Sequence, residues 1–156
     1  MSHHPVAPVC QADTSTIAPS TSTTSTASPT TTAMSCPSGW TEFQRGCYKL
    51  FSSSETWVIA DSLCLAEGAR LTSVHSMEEE DFLNSLSNGN SYWIGGYPKD
   101  NSWVWSDFSS FDYQHGYDNN NDQCLYQYYS HIGSGWSSHS CATTNYEYYR
   151  ICKLVM

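Results

Sequence analysis

The chain has 156 residues and a formal net charge of −9, from 15 acidic and 6 basic residues, so it is long enough for one domain and an additional segment. The acidic balance disfavours unaided binding to nucleic acid, and the apolar runs are far shorter than the roughly 20 residues that membrane insertion needs. Seven cysteines in so small a chain favour an oxidising, extracellular compartment.

The N-terminal segment is dominated by serine and threonine, which make up 14 of the 19 residues from Thr14 to Thr32. Such a sequence buries too little apolar surface to offset the entropy of ordering it. Residues 1–35 are therefore predicted to form a disordered, mucin-like, O-glycosylated stalk, with a bare flexible linker as the alternative. Residues 1–10 contain no apolar signal core, so a secreted chain would have had its leader removed.

Composition changes abruptly at the start of residues 36–156, the predicted domain. Turn residues at 36–40 and an aromatic, apolar stretch at 43–51 predict a hairpin. Residues 54–67 show apolar side chains at helical spacing, and Gly68 stands where a C-terminal cap belongs, which predicts an amphipathic helix. The apolar positions of this helix are Trp57, Ala60, Leu63, Cys64 and Ala66.

A second helix is predicted after a short alternating strand at 69–74. Ser76 and Glu79 form a predicted capping box, in which the hydroxyl accepts the Glu79 amide and the carboxylate accepts the Ser76 amide. Glu80 and Asp81 add negative charge near the helix N-terminus, and Asn88-Gly89 ends the helix. The predicted buried stripe consists of Phe82, Leu83 and Leu86.

Further strands are predicted where aromatic and branched residues lie between turn signals. They comprise residues 92–96, 103–105, 124–126 and 148–154, with a turn at 97–101. Early helices, late strands and the lack of strand–helix–strand alternation predict an α+β fold with a mainly antiparallel sheet. Residues 111–140 are rich in Asn, Asp, Tyr, His, Gly and Ser and are interpreted as a long irregular loop that carries the binding surface.

The order and spacing of cysteines, tryptophans and glycines over residues 36–156 resemble those of the C-type lectin-like family. The landmarks are Cys36-Pro37, Gly39-Trp40, Cys47-Tyr48, Trp57, Ala60, Cys64, Gly68-Ala69, Leu71, Trp93-Ile94-Gly95, Trp103, Trp105, Cys124, Trp136, Cys141 and Tyr149-Arg150-Ile151-Cys152. The resemblance implies two helices, a mainly antiparallel sheet and a long loop pinned by a disulfide. It also implies the bridges Cys36–Cys47, Cys64–Cys152 and Cys124–Cys141, a choice that counting cysteines leaves open.

Cys10 is left without a partner in this scheme. An odd cysteine in a secreted chain suggests an intermolecular bond, so a disulfide-linked homodimer or a bond to another chain is predicted. The alternative is that Cys10 reflects only where the chain begins.

In calcium-dependent members of the family, oxygen ligands of the long loop hold a cation that binds two sugar hydroxyls. Two residues of the loop, Asn119 and Asp122, match ligand positions of the family's calcium site. Tyr117 stands where a Glu or Gln ligand is expected. Asp118 replaces a characteristically cis proline, and a cis bond before a residue other than proline would cost about 2.5–4 kcal/mol.

The rest of the ligand set is a Trp-Asn-Asp triplet, which here reads Trp136-Ser137-Ser138. The tryptophan is kept and both ligands are replaced, so the usual calcium site is predicted to be lost and no cofactor is expected. If calcium binds, the residues that would hold it are Asp118, Asn119 and Asp122. Asp112, Asp118 and Asp122 form an alternative set, while solvation on a polar loop is the simpler account of these carboxylates.

The remaining candidate surface has aromatic rings among Asn and Ser, a mixture that suits sugars and proteins alike. Its rings are Tyr113, Tyr117, Tyr126, Tyr128, Tyr129 and Trp136, although Trp136, like Trp93, Trp103 and Trp105, is interpreted as core.

The spacing of His115, His131 and His139 matches no recurrent zinc motif, so these are interpreted as surface or hydrogen-bonded histidines. The domain cysteines are committed to bridges and no serine has an identifiable base and orienter, so an enzyme is not expected.

The sequence therefore predicts a secreted, non-enzymatic module that binds glycans or glycoproteins without the usual calcium site. The alternative is a C-type lectin-like domain for protein–protein interaction without sugar binding, because a fold does not settle a function. A structural or antigenic coat role is a third interpretation.

Overall fold

The computed structural model describes residues 35–116 and 123–154. Its elements are β1 (Thr41–Phe43), β2 (Gly46–Glu55), α1 (Trp57–Ala66), β3 (Ala69–Leu71), α2 (Met77–Leu86), β4 (Tyr92–Trp93), β5 (Gly96–Lys99), β6 (Ser102–Trp105), β7 (Gln123–Ser130), β8 (Gly133–Ser140) and β9 (Tyr148–Leu154). The predicted α+β class is confirmed. Residues 1–34, which include most of the predicted stalk and Cys10, lie outside the described residues. The stalk and the intermolecular bond of Cys10 therefore remain predictions.

The main sheet has seven strands, in the order β1-β2-β9-β4-β7-β8, with β3 also pairing with β9. Among the described strands every pair is antiparallel except β4–β9, which is parallel. β5 and β6 form a separate two-stranded sheet. The C-terminal strand β9 thus lies between the N-terminal hairpin and β4, and β4 leads on to the β7–β8 hairpin.

The buried side chains form two clusters. One contains Tyr48, Val74, Leu83, Tyr92, Ile94, Trp105, Leu125, Trp136 and Ile151. The other contains Trp57, Ala60, Cys64, Ala69, Leu71, Trp93, Cys124 and Cys152. The second cluster includes half-cystines from two bridges, so covalent and apolar contacts stabilise the same region.

The three predicted disulfides are confirmed: Cys36–Cys47, Cys64–Cys152 and Cys124–Cys141. Each restricts the unfolded chain, which contributes about 2–5 kcal/mol per bridge. The Cys64–Cys152 bridge spans 88 residues and joins α1 to β9. None of the helices in the described part of the chain is long and apolar enough to span a bilayer.

Helix α1 is shorter than predicted, because residues 54 and 55 belong to β2. Its buried face uses Trp57, Ala60 and Cys64, as predicted. The prediction that Leu63 belongs to the buried stripe is wrong, because its side chain is 36% exposed. Successive residues of a helix are rotated by about 100° around its axis, so Leu63 lies to one side of the face that buries Cys64. Ala66 is also exposed.

The capping box of α2 is half confirmed. Ser76 Oγ accepts the Glu79 amide at 3.1 Å, as predicted. The carboxylate of Glu79 does not return to the Ser76 amide: Oε2 accepts the His75 amide at 2.9 Å, and Oε1 accepts Tyr48 Oη at 2.7 Å and Lys153 Nζ at 2.8 Å. Glu79 is only 3% exposed, so donors from β2 and β9 compete with the local one.

The predicted turn at 97–101 is too long. Residues 97–99 belong to β5, and the turn consists of Asp100 and Asn101, with φ of 51° and 61°. A two-residue hairpin turn of this kind requires positive φ at both central positions, which Asp and Asn tolerate.

The predicted irregular loop at 111–140 is wrong in its second half. Residues 123–130 and 133–140 form two eight-residue strands, β7 and β8, paired from Gln123↔Ser140 to Ser130↔Gly133. The core face of this hairpin includes polar Gln127 and Ser138, which are 0% and 6% exposed. Their polarity conceals the alternation that would have predicted strands.

Candidate functional site

The residues that the sequence predicts as ligands lie partly in the described structure. Tyr117, Asp118, Asn119 and Asp122 fall outside the described residues. The remaining three, Trp136, Ser137 and Ser138, lie on β8. The loss of the usual calcium site therefore remains a prediction, to which only the β8 part of the site adds structural detail.

Trp136 is part of the core. Its side chain is 1% exposed and packs edge-on against Trp105, with ring centroids 5.5 Å apart, and against Tyr113, at 5.7 Å. The interpretation of Trp136 as a core residue is thus confirmed, as it is for Trp93 and Trp105.

Ser137 and Ser138 face opposite sides of the sheet, because side chains alternate along a strand. Ser138 is 6% exposed and donates a hydrogen bond to Gln123 Oε1 at 3.0 Å. Ser137 pairs with Tyr126 across the hairpin and is half-buried on the opposite face from Ser138. At these positions β8 therefore offers a ligand one hydroxyl, where the family's pattern supplies an amide and a carboxylate.

Within the described residues, no group of three or more His, Cys, Asp and Glu side chains is placed to hold a metal ion. Asp112, a member of the alternative calcium set, contacts His75 Nδ1 at 2.6 Å. This hydrogen bond lowers the pKa of Asp112 below its ordinary value. The Asp112 carboxylate is thus already engaged.

The segment before the undescribed residues is anchored to α2 by a buried carboxylate. Glu80 is 3% exposed and accepts hydrogen bonds from Tyr113 Oη at 2.8 Å and from His115 Nδ1 at 2.5 Å. The backbone of the same segment accepts the Trp136 amide at His115 O, 3.0 Å away. Burial and the Glu80 hydrogen bond raise the pKa of Tyr113, so its hydroxyl remains a donor.

The side of the sheet that packs against the second buried cluster carries what we call the aromatic stack: Tyr126, His139, Tyr146 and Tyr148. The rings of Tyr126 and Tyr148 lie 4.4 Å apart and nearly parallel, and His139 lies 4.8 Å from Tyr126 and 4.0 Å from Tyr146. Tyr146 is 37% exposed. Because Tyr126 pairs with Ser137, a hydroxyl adjoins this aromatic surface.

A serine–histidine–aspartate contact also exists, which the sequence reasoning missed. His75 Nδ1 contacts Asp112, and Nε2 lies 3.0 Å from the hydroxyls of Ser73 and Ser109. Both hydroxyls also contact Asp107. A carboxylate only accepts, so each serine proton is directed to Asp107 and not to His75, unlike the arrangement that activates a nucleophilic serine.

Comparison with known proteins connects this architecture to a family. The family model described as "Lectin C-type domain" matches residues 53–154. The snaclec EMS16 subunit beta of Echis multisquamatus is 41% identical over 87 residues, which cover 51% of this chain and 56% of that protein. The matched region thus spans little more than half of that relative.

Two solved structures show the same fold. The SPL-1–GlcNAc complex is 27% identical with a TM-score of 0.67, covering 77% of this chain and 95% of that chain. EMS16, titled an antagonist of collagen receptor integrin alpha2beta1, is 32% identical with a TM-score of 0.58, covering 78% and 100%. The chain therefore belongs to the C-type lectin domain family.

Proposed function

We propose that this protein binds glycans or glycoproteins without the family's usual calcium site, through the aromatic stack and Ser137. The observation that carries this proposal is the exposed end of the stack at Tyr146. A flat ring packs against the C–H face of a sugar, while a neighbouring hydroxyl pairs with sugar hydroxyls. Rings held by their neighbours lose little entropy on binding.

Two further observations support this proposal. Because the residues after Trp136 are Ser137 and Ser138, β8 supplies no carboxylate to a cation at these positions. The Ser138 hydroxyl is also buried and bonded to Gln123. One structure of the same fold is a complex with GlcNAc, so the fold is compatible with sugar binding. Recognition would then depend on ring contacts and hydrogen bonds made by the protein alone.

A glycan array read with and without a chelator tests the proposal. We expect binding that the chelator leaves unchanged and that Tyr146→Ala weakens by at least about tenfold, as the loss of a well-packed aromatic contact would. Phe108→Ala is the matched control, because Phe108 is 82% exposed and lies outside the stack. A blank array, or binding abolished by the chelator, would contradict the proposal.

The alternative function is protein recognition without sugar, and the outer face of α1 favours it. Val58 and Ile59 are each 50% exposed and Leu65 is 57% exposed, so one helix presents several apolar side chains to solvent. Such patches often mark protein interfaces. A blank glycan array, together with capture of an extracellular protein that Ile59→Ser abolishes, would favour this function over the first.

We also propose that the protein acts outside the cell, because three formed disulfides require an oxidising compartment. The glycosylated stalk and the Cys10-linked dimer remain part of this proposal. Susceptibility of residues 1–35 to O-glycosidases followed by mass spectrometry would test the stalk. A mass that corresponds to the unmodified chain would exclude it.

A further inference from the structure

A second surface feature has the chemistry of a ligand site and shares no residue with the aromatic stack, with Ser137 or with residues 117–122. It is an open groove of about 720 Å³ beside α2 and the turn between β7 and β8. Its lining includes Asp81, Asn84, Asn88, Gly89, Tyr129 and Ser134. The volume lies within the range of small-ligand sites.

On the helix side of the groove, Asn84 supplies a hydrogen-bond donor. Tyr92 is fully buried, and its hydroxyl donates to Asn84 Oδ1 at 3.0 Å. Burial and the charges of Glu80 and Glu79 raise the pKa of Tyr92 well above its ordinary value, so this hydroxyl remains a donor. This bond uses the amide oxygen, and Asn84 lines the groove, so its Nδ2 amide is left to donate to a ligand.

Asp81 supplies the acceptor. It lies three residues before Asn84, so the two side chains are neighbours on one face of α2. Asp81 is exposed, and its carboxylate can accept two hydrogen bonds. A sugar hydroxyl both donates and accepts, so one hydroxyl can donate to Asp81 while it accepts from Asn84.

The strand side of the groove holds an aromatic ring. Tyr129 is 53% exposed, and a Cβ placed on Gly89 would lie 3.6 Å from its Cε1 atom, so the ring rests against the Gly89 backbone. The Tyr129 amide donates to Ser91 Oγ at 3.3 Å, which ties this strand to the segment after α2. The exposed part of the ring is free to pack against an apolar surface.

We propose that this groove is a second, cation-independent saccharide subsite, in which Asp81 and Asn84 pair with sugar hydroxyls and Tyr129 packs against the sugar ring. The inference rests on the proposed glycan-binding function and names a further site for it. The subsite selects neutral sugars, because the exposed carboxylates of Glu78 and Asp81 repel sialic acid and sulfate.

The test uses the full chain with chelator on an array of neutral and sialylated glycans. Asp81→Asn preserves shape and removes the charge, and Tyr129→Ala removes the ring. We expect each to lower binding of neutral glycans by at least about tenfold. Asp100→Asn and Phe108→Ala, an exposed carboxylate and an exposed ring elsewhere, are matched controls that leave binding unchanged.

The outcomes separate this subsite from the proposed function. Binding that survives both groove variants but is lost in Tyr146→Ala overturns the subsite and leaves the function standing. A blank array with the unmodified chain overturns both. Equal melting temperatures for the unmodified chain and Asp81→Asn show that a loss of binding in that variant is not a loss of folding. Preference for sialylated glycans also contradicts the subsite.

Discussion

The buried carboxylate of Glu80 offers the most direct test of how the loop beside the candidate site is held. Its two oxygens accept hydrogen bonds from Tyr113 and His115, both in the segment that precedes residue 117. Glu80→Gln keeps the size of the side chain but removes its charge and one of its acceptors. The substitution therefore weakens the connection between α2 and this segment without creating a cavity.

The structure sets the size of the expected effect. A hydrogen bond to a charged group contributes about 1.5–3 kcal/mol, and a neutral one about 0.5–1.5 kcal/mol. Because the His115 side chain is 43% exposed and water can replace part of its lost bond, the lower values apply. We expect Glu80→Gln to cost about 2 kcal/mol, which in a domain of about 120 residues lowers the melting temperature by about 8 °C.

Glu78→Gln is the matched control, because Glu78 lies in the same first turn of α2 but is exposed. Both substitutions remove one charge from the helix N-terminus, so the control cancels the effect on the helix dipole. Thermal unfolding followed by circular dichroism measures both. Equal shifts for the two variants would refute the reasoning, since they would leave the buried contacts of Glu80 without energetic effect.

Three further predictions address calcium, pH and assembly. Millimolar calcium should leave the melting temperature unchanged, and a rise of several degrees would show a working cation site. Burial lowers the pKa of His139, so its contribution to stability is present above the unfolded pKa of about 6.5 and is lost as the pH falls through the folded value. Unfolding curves should show this acid dependence in the wild type and lose it in His139→Phe; an unchanged dependence would contradict it. Non-reducing electrophoresis should show a dimer that Cys10→Ser abolishes, whereas a monomeric wild type would remove that prediction.

Much of the scaffold is readable from residue order. Trp57, Ala60 and Cys64 recur at helical spacing and predict α1, and Ser76 with Glu79 indicates the start of α2. Each signal comes from residues of a single helix. The disulfide pairing came from the family resemblance and was confirmed. These features depend on neighbours in sequence or on a pattern of landmarks, so they can be predicted without knowledge of how the elements pack.

The candidate surfaces are much less readable. The run of acidic residues at the start of α2 gives no sign that Glu79 and Glu80 are buried and used by distant donors. The rings of the aromatic stack come from β7, β8, β9 and the segment before β9, and only the sheet brings them together. The polar composition of residues 111–140 suggested a loop, because Gln127 and Ser138 occupy core positions.

The sequence by itself determined the α+β class and both helices, because these depend on residue types at regular spacing. The three bridges were implied by the resemblance to the family, and the loss of the usual calcium site stays a prediction. Only the tertiary structure decided that Ser137 and Ser138 face opposite sides of the sheet and that Asp81, Asn84 and Tyr129 line one groove. Those facts depend on which residues meet across elements distant in sequence. The contacts that gather a binding surface arise from strand register and helix docking, and neither is visible in local pattern.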